Sequence, residues 1–253
     1  MDKRGQVAIY VIIAIVIVAG ILAVYFFYPN IKTVVVGETV PSTFLKSCIE
    51  QSVQSSVDIL SKQGGYNEPE GFILYKGEKV KYLCYTSQYY KTCTVQQPLI
   101  KGHFEVELSK MIKDSADDCM QQLKTSYESQ GYSVSLGGLK SHAEIVPGNI
   151  RLVIETPMSI TKDSTQTFSE LNIDMPSEMY NLLMISTSII DYESTYGDSE
   201  VTLYMQYYPN LKIEKIKLED GSKVYTLTDV TTKEKFVFAS RSLAWPAGYG
   251  ITS

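Results

Sequence analysis

The stretch EVELSKMIKDSADDCMQQLKTSYES, residues 105–129, running straight into QGYSVSLGGLKSHAEIVPGNIRLVIET, residues 130–156, contains the change of period that decides the fold class. In the first part Leu108, Ile112, Ala116, Cys119, Leu123 and Tyr127 recur at three- and four-residue intervals, the spacing of one face of an α-helix. Gly131 marks its end. From Tyr132 the period becomes two. Strands are expected near 132–136, 142–146 and 150–156, separated by Gly137-Gly138 and Pro147-Gly148, the punctuation of an antiparallel meander. The spacing predicts an α+β fold.

Upstream, Ser42 or Thr43 after Pro41 can cap a helix from about Phe44 to Lys62, with Leu45, Cys48, Ile49, Val53, Val57 and Leu60 on one face and Gly64-Gly65 at its end. This helix and the 105–129 helix are expected to pack together. Residues 72–96 read as short strands, including Phe72-Ile73-Leu74-Tyr75 and Val80 to Tyr85. Downstream, residues 157–173 leave room for one or two more strands. A third helix, about Ser177 to Thr195, is apolar through Leu182-Leu183-Met184-Ile185 but too short to cross a bilayer, so it belongs to the core. The tail returns to strands near 200–207, 211–218, 223–228 and 235–239, with turns at Asp220-Gly221 and Thr231-Thr232-Lys233.

The N-terminus has a different character. Val7 to Tyr28, VAIYVIIAIVIVAGILAVYFFY, is apolar throughout and carries no charge. At about 1.5 Å per residue it makes a helix of about 33 Å, against a hydrocarbon core of about 30 Å. Ile and Val are indifferent helix formers in water, but in lipid the backbone must satisfy its own hydrogen bonds. Lys3 and Arg4 precede the run directly, which places the N-terminus in the cytoplasm and the remainder outside. Four segments follow: a basic leader at 1–6, a transmembrane helix at 7–28, a helical and β-hairpin part of the ectodomain at 29–131, and an antiparallel β-rich part with one helix at 132–253.

The junction Lys3-Arg4-Gly5-Gln6 before that helix resembles the archaeal class III signal peptide of prepilins and archaellins. The resemblance implies cleavage between Gly5 and Gln6 by a prepilin-type peptidase. Two features depart from the filament-forming members: Tyr10 stands where many have an acidic residue, and Pro29 breaks the helix. Ser47-Cys48-Ile49 through Gln63-Gly64-Gly65-Tyr66, the helix containing Cys119, and Val224-Tyr225 through Phe238-Ala239 look like single-pass surface proteins of archaea with small genomes, which implies an envelope location.

The net charge of −5 becomes more negative once Lys3, Arg4 and Asp2 are set aside, and no basic run remains to suit nucleic acid. Tyr is abundant, with doublets at Tyr89-Tyr90 and Tyr207-Tyr208 that suit water-facing strands or binding surfaces. Four cysteines are the one constellation with chemical meaning. None form C-x-x-C, and His103 and His142 do not complete a zinc pattern. Outside a cell disulfides are the natural reading. Cys84 and Cys93 can close a small hairpin, and Cys48 and Cys119 lie on the two helices expected to pack. That pairing is one of three connectivities, with four buried thiols as the alternative.

No H-E-x-x-H, G-x-S-x-G, P-loop or Rossmann pattern occurs. Asp114, Asp117 and Asp118 lack EF-hand spacing and read as a solvated helix face. The expectation is therefore a non-enzyme without cofactor or metal: an envelope structural or interaction protein whose partners are the lipid bilayer, a prepilin-type peptidase, and other envelope proteins or further copies of itself. A pilin-like filament subunit and an envelope hydrolase using His103 or His142 are the alternatives.

Overall fold

Two helices with matching apolar stripes lead the computed structural model, which describes residues 40–244. The leader 1–6, the apolar run 7–28 and the junction Lys3, Arg4, Gly5 and Gln6 lie outside the described residues. Among the described residues, no helix is long and apolar enough to cross a membrane.

Helix α1, Pro41–Lys62, buries Leu45, Ile49, Val53, Val57 and Leu60. It starts at Pro41 rather than near Phe44. A proline fits the first helical position because its missing N–H has no helical acceptor there. Helix α2, Ile100–Ser129, buries Ile100, Phe104, Leu108, Ile112, Ala116, Cys119, Met120, Leu123 and Tyr127. It starts earlier than the expected residue 105, since Ile100 and Phe104 continue the same four-residue stripe. The two helices run antiparallel: Cys48 meets Cys119, and one turn further along α1 and back along α2 the hydroxyls of Ser52 and Ser115 lie 2.8 Å apart. Such burial contributes about 1.5–3 kcal/mol per large apolar side chain.

Strands β1 (Phe72–Tyr75), β2 (Glu78–Tyr85) and β3 (Thr94–Val95) separate the helices. After α2 come β4 (Ser133–Leu136), β5 (Lys140–Val146), β6 (Asn149–Thr161) and β7 (Thr165–Pro176). Helix α3 (Met179–Tyr196), helix α4 (Thr202–Tyr207), β8 (Leu211–Lys217), β9 (Ser222–Asp229) and β10 (Lys235–Arg241) complete the described chain. One sheet runs β1-β2-β10-β9-β8, with β3 on β2; the other has β6 at its centre, flanked by β7 on one side and by β4 and β5 on the other.

Three features differ from the sequence expectation. β6 runs on past Thr156 because Pro157 sits where the register slips between Glu155 and Met158. A bulge is the one interior strand position that tolerates a residue without an N–H. The bulge also divides β6 between two partners, β5 before it and β4 after it. The second difference is at 200–207, expected as a strand and found as the short helix α4. The Glu200 carboxylate accepts hydrogen bonds from the Thr202 N–H (2.8 Å) and hydroxyl (2.6 Å), which satisfies an N–H that the first helical turn leaves without an intrahelical acceptor. Third, the sheets are not wholly antiparallel: β10 pairs with β2 in parallel, Ala239 opposite Tyr82 and Arg241 opposite Tyr85. The stretches 29–131 and 132–253 thus share one sheet, and from Pro41 onward the chain is one unit with a contiguous core.

Candidate functional site

The third helix ends on a charge placed inside the core. The buried face of α3 runs Met179, Leu182, Leu183, Ser186, Ile189, Ile190 and then Glu193, which is 0% exposed. Beneath it, β9 and β10 present alternate residues: Lys223 lies opposite Ser240, and Tyr225 opposite Phe238. Lys223 Nζ donates to Glu193 Oε1 (2.9 Å) and Oε2 (2.7 Å). Tyr225 donates its hydroxyl hydrogen to Oε1, and Ser240 Oγ donates to Oε2 at 2.8 Å.

The backbone closes the site. Gly197 takes the left-handed conformation (φ 85°) at the end of α3, and the chain doubles back so that the Ser199 N–H reaches Glu193 Oε1 at 3.0 Å. The Gly197 carbonyl accepts from Lys223 at 2.6 Å, so the ammonium also meets the negative end of the helix dipole. Asp198 forms the outer wall. Its carboxylate meets Lys223 at 3.1 Å and Lys215 at 3.0 Å through Oδ1, and Lys217 at 3.0 Å through Oδ2.

These environments set the protonation states. Burial pushes the Tyr225 phenol well above its ordinary value, and the neighbouring Glu193 pushes it further. Burial also opposes ionisation of Asp198, but Lys223, Lys217 and Lys215 outweigh it and hold the carboxyl far below the usual range. Removing one partner of such a buried pair typically costs about 3–5 kcal/mol, because the other charge is left stranded.

The cysteines pair as Cys48–Cys119, with Cα atoms 5.9 Å apart, and Cys84–Cys93, at 5.3 Å. The second bridge adjoins the buried cluster: Ser242 Oγ accepts from the Cys93 N–H at 3.1 Å and donates to the Glu193 carbonyl at 3.2 Å.

The two histidines have separate surroundings. His103 stacks on Tyr66 with ring centroids 3.9 Å apart, and burial lowers its pKa, partly offset by Glu107. His142 lies beside Glu144 at 3.5 Å in an open groove of about 710 Å³ between α2 and β5. There the helix closes the free edge of β5. Ser109 Oγ accepts from the Ala143 N–H (2.8 Å), Glu105 Oε1 accepts from the Ile145 N–H (2.7 Å), and Lys101 Nζ donates to the Ile145 carbonyl (3.3 Å). Covering an edge in this way prevents another strand from pairing there. Of the acidic trio, Asp117 pairs with Lys113 at 3.1 Å, and no group of three potential metal ligands occurs among the described residues.

The tyrosine doublets do not lie on strands. Tyr89 and Tyr90 occupy the loop inside the Cys84–Cys93 bridge, and Tyr207 and Tyr208 close α4; all four are exposed. Sequence reasoning missed the Glu193 cluster. Its one signal was an acidic residue in phase with the apolar face of α3, three residues beyond Ile190.

The architecture defines a disulfide-bonded α+β unit. No protein-family model, no curated protein and no solved structure matches the chain.

Proposed function

We propose that this chain is a membrane-anchored structural or interaction protein of the archaeal cell envelope. The helix at 7–28 holds it in the bilayer, with the N-terminus in the cytoplasm and the bulk outside. The observation that carries this reading is the pair of disulfides among the described residues, which suit an oxidising compartment and would be reduced in most cytosols. The charge-free run from Val7 to Tyr28 supports the anchor, and Lys3 and Arg4 support the orientation. Exposed tyrosines on the disulfide loop and at the end of α4 supply apolar contact area with a polar tip, which suits contact with other envelope proteins or with further copies of the chain.

A second reading, a pilin-like filament subunit, draws on Lys3-Arg4-Gly5-Gln6 and requires cleavage before Gln6. Protease added to spheroplasts is expected to digest the unit from Pro41 onward, whereas access only in inverted vesicles would reverse the orientation. Mass spectrometry of the native N-terminus is expected to find Gln6 first. A chain beginning at Met1 or Asp2 would remove the processing step and with it the filament reading.

A further inference from the structure

We propose that Glu193 and Lys223 are positioned to condense into an internal amide, a covalent bond between the end of α3 and strand β9 that needs no other reagent. In water an amine and a carboxylic acid stay apart because both are charged and solvated. In this site both are buried, and Nζ lies 2.9 and 2.7 Å from the two carboxylate oxygens. The step begins with transfer of one proton from the ammonium to Oε2 across the 2.7 Å contact, leaving a neutral amine against a neutral acid. Holding the two together is equivalent to an effective concentration of about 10⁵ M or more for a well-aligned pair.

The surroundings fit the step. As the Nζ lone pair attacks Cδ, the C–N bond forms and negative charge gathers on Oε1. That oxygen already receives two donors, the Tyr225 hydroxyl and, at 3.0 Å, the Ser199 N–H. Two donors aimed at one developing oxyanion are the arrangement that stabilises acyl-transfer intermediates. Asp198 Oδ1, 3.1 Å from Nζ, takes a proton from the attacking nitrogen. The Cδ–Oε2 bond then breaks, and Oε2 leaves as water with the proton that it holds and the one that Asp198 returns. The sum is an ammonium and a carboxylate giving one amide and one water, with Asp198 regenerated.

The alternative acyl donor, Asp198, is disfavoured by its own contacts. Lys215 and Lys217 remain on its oxygens after Lys223 has lost its charge and keep it an ionised, unreactive carboxylate. Removal of the Lys223 charge does, however, restore part of its basicity, as the proton-accepting role requires. Unlike the two disulfides, this bond would survive reduction, so its detection does not depend on the compartment.

The test is peptide mapping of the native full-length protein after denaturation and reduction of both disulfides. The expected product is a branched peptide joining the segments that contain Glu193 and Lys223, one water lighter than the two together and uncut by trypsin at Lys223. Two separate unmodified peptides from folded protein, unchanged after long incubation at neutral pH, overturn the proposal. Lys223→Arg abolishes the branched peptide if the amine is correctly assigned, and a branch that persists overturns that assignment. Because that variant strains a buried site, Asp198→Ala provides a second measurement with both reacting groups intact. Loss of the proton acceptor is expected to slow appearance of the branched peptide by about 10²-fold or more, and an unchanged rate overturns the role of Asp198.

Discussion

Tyr225 places a fully buried phenol against the Glu193 carboxylate, and the consequence is a dependence of stability on alkaline pH. Its folded pKa is raised above the ordinary phenol value of 10.0, so between that value and the folded one the native state keeps a proton that the unfolded chain has lost. The unfolded state then binds fewer protons, and stability falls as pH rises through this window. Tyr225→Phe is expected to lower stability at neutral pH by about 0.5–3 kcal/mol, the range that spans a hydrogen bond to an amide oxygen and one to a carboxylate. It is also expected to flatten the decline above about pH 10, the unperturbed phenol value. Urea titrations of both proteins at pH 7 and across the alkaline range measure the two effects. An equally steep alkaline decline in the phenylalanine variant would place the titrating group elsewhere.

Between α2 and β5, stability rests on side chains of one element completing the backbone of another. Glu105→Ala removes the acceptor of the Ile145 N–H, and the orphaned donor is expected to cost about 1–3 kcal/mol. Hydrogen exchange at Ile145 should accelerate far more than at Ala143, which keeps Ser109. Equal exchange at both would mean that the helix does not hold this edge. The β4–β5 connection depends on a close approach: a Cβ on Gly137 would sit 2.9 Å from Pro157 Cδ, and the Gly137 N–H donates to the Pro157 carbonyl at 2.8 Å. Such features explain which elements the sequence disclosed. Helices α1 and α2 and strands β5 and β8 were legible because each has one wet face and one dry one, and the alternation is written in the residues. α4 was not, because six residues with Leu203, Met205 and Tyr207 alternating fit a strand as well as a single helical turn, and the hydrogen bonds from Thr202 to Glu200 favour the turn. The far end of β6 was hidden by Pro157, whose tolerance depends on a bulge that pairing alone creates. The Glu193 cluster was hidden for a related reason. Its members come from three elements whose adjacency follows from the β9–β10 register and the turn at Gly197, neither of which is a local property of the chain.

At the scale of the whole molecule, the chain is closed by contacts between its distant parts. β10 lies against β2, α1 against α2, and each of these pairings has a disulfide in it or beside it: Cys84 is on β2 opposite Ser240 of β10, and Cys48–Cys119 ties the helix pair. The two bridges should contribute unequally. Cross-linking stabilises mainly by removing conformations from the unfolded chain, and the effect grows with the logarithm of the loop closed. Cys48–Cys119 spans 71 residues of separation and Cys84–Cys93 spans 9. By that relation the longer loop restricts the unfolded chain by about 2 kcal/mol more. The short bridge nevertheless holds the loop that places Cys93 over Ser242 and so adjoins the Glu193 cluster, which gives its loss a local cost as well. Double variants separate these contributions in the unit beginning at Pro41. Cys48→Ala with Cys119→Ala is expected to lower the urea midpoint more than Cys84→Ala with Cys93→Ala, with a larger change in the unfolded than in the native ensemble. The second pair is instead expected to raise hydrogen exchange around Cys93 and Ser242 within an otherwise intact fold. If the short-loop variant proves the less stable of the two, the support that Cys93 and Ser242 give to the buried cluster outweighs loop entropy. The cluster, rather than the helix cross-link, would then be what holds the two distant stretches of the chain in one sheet.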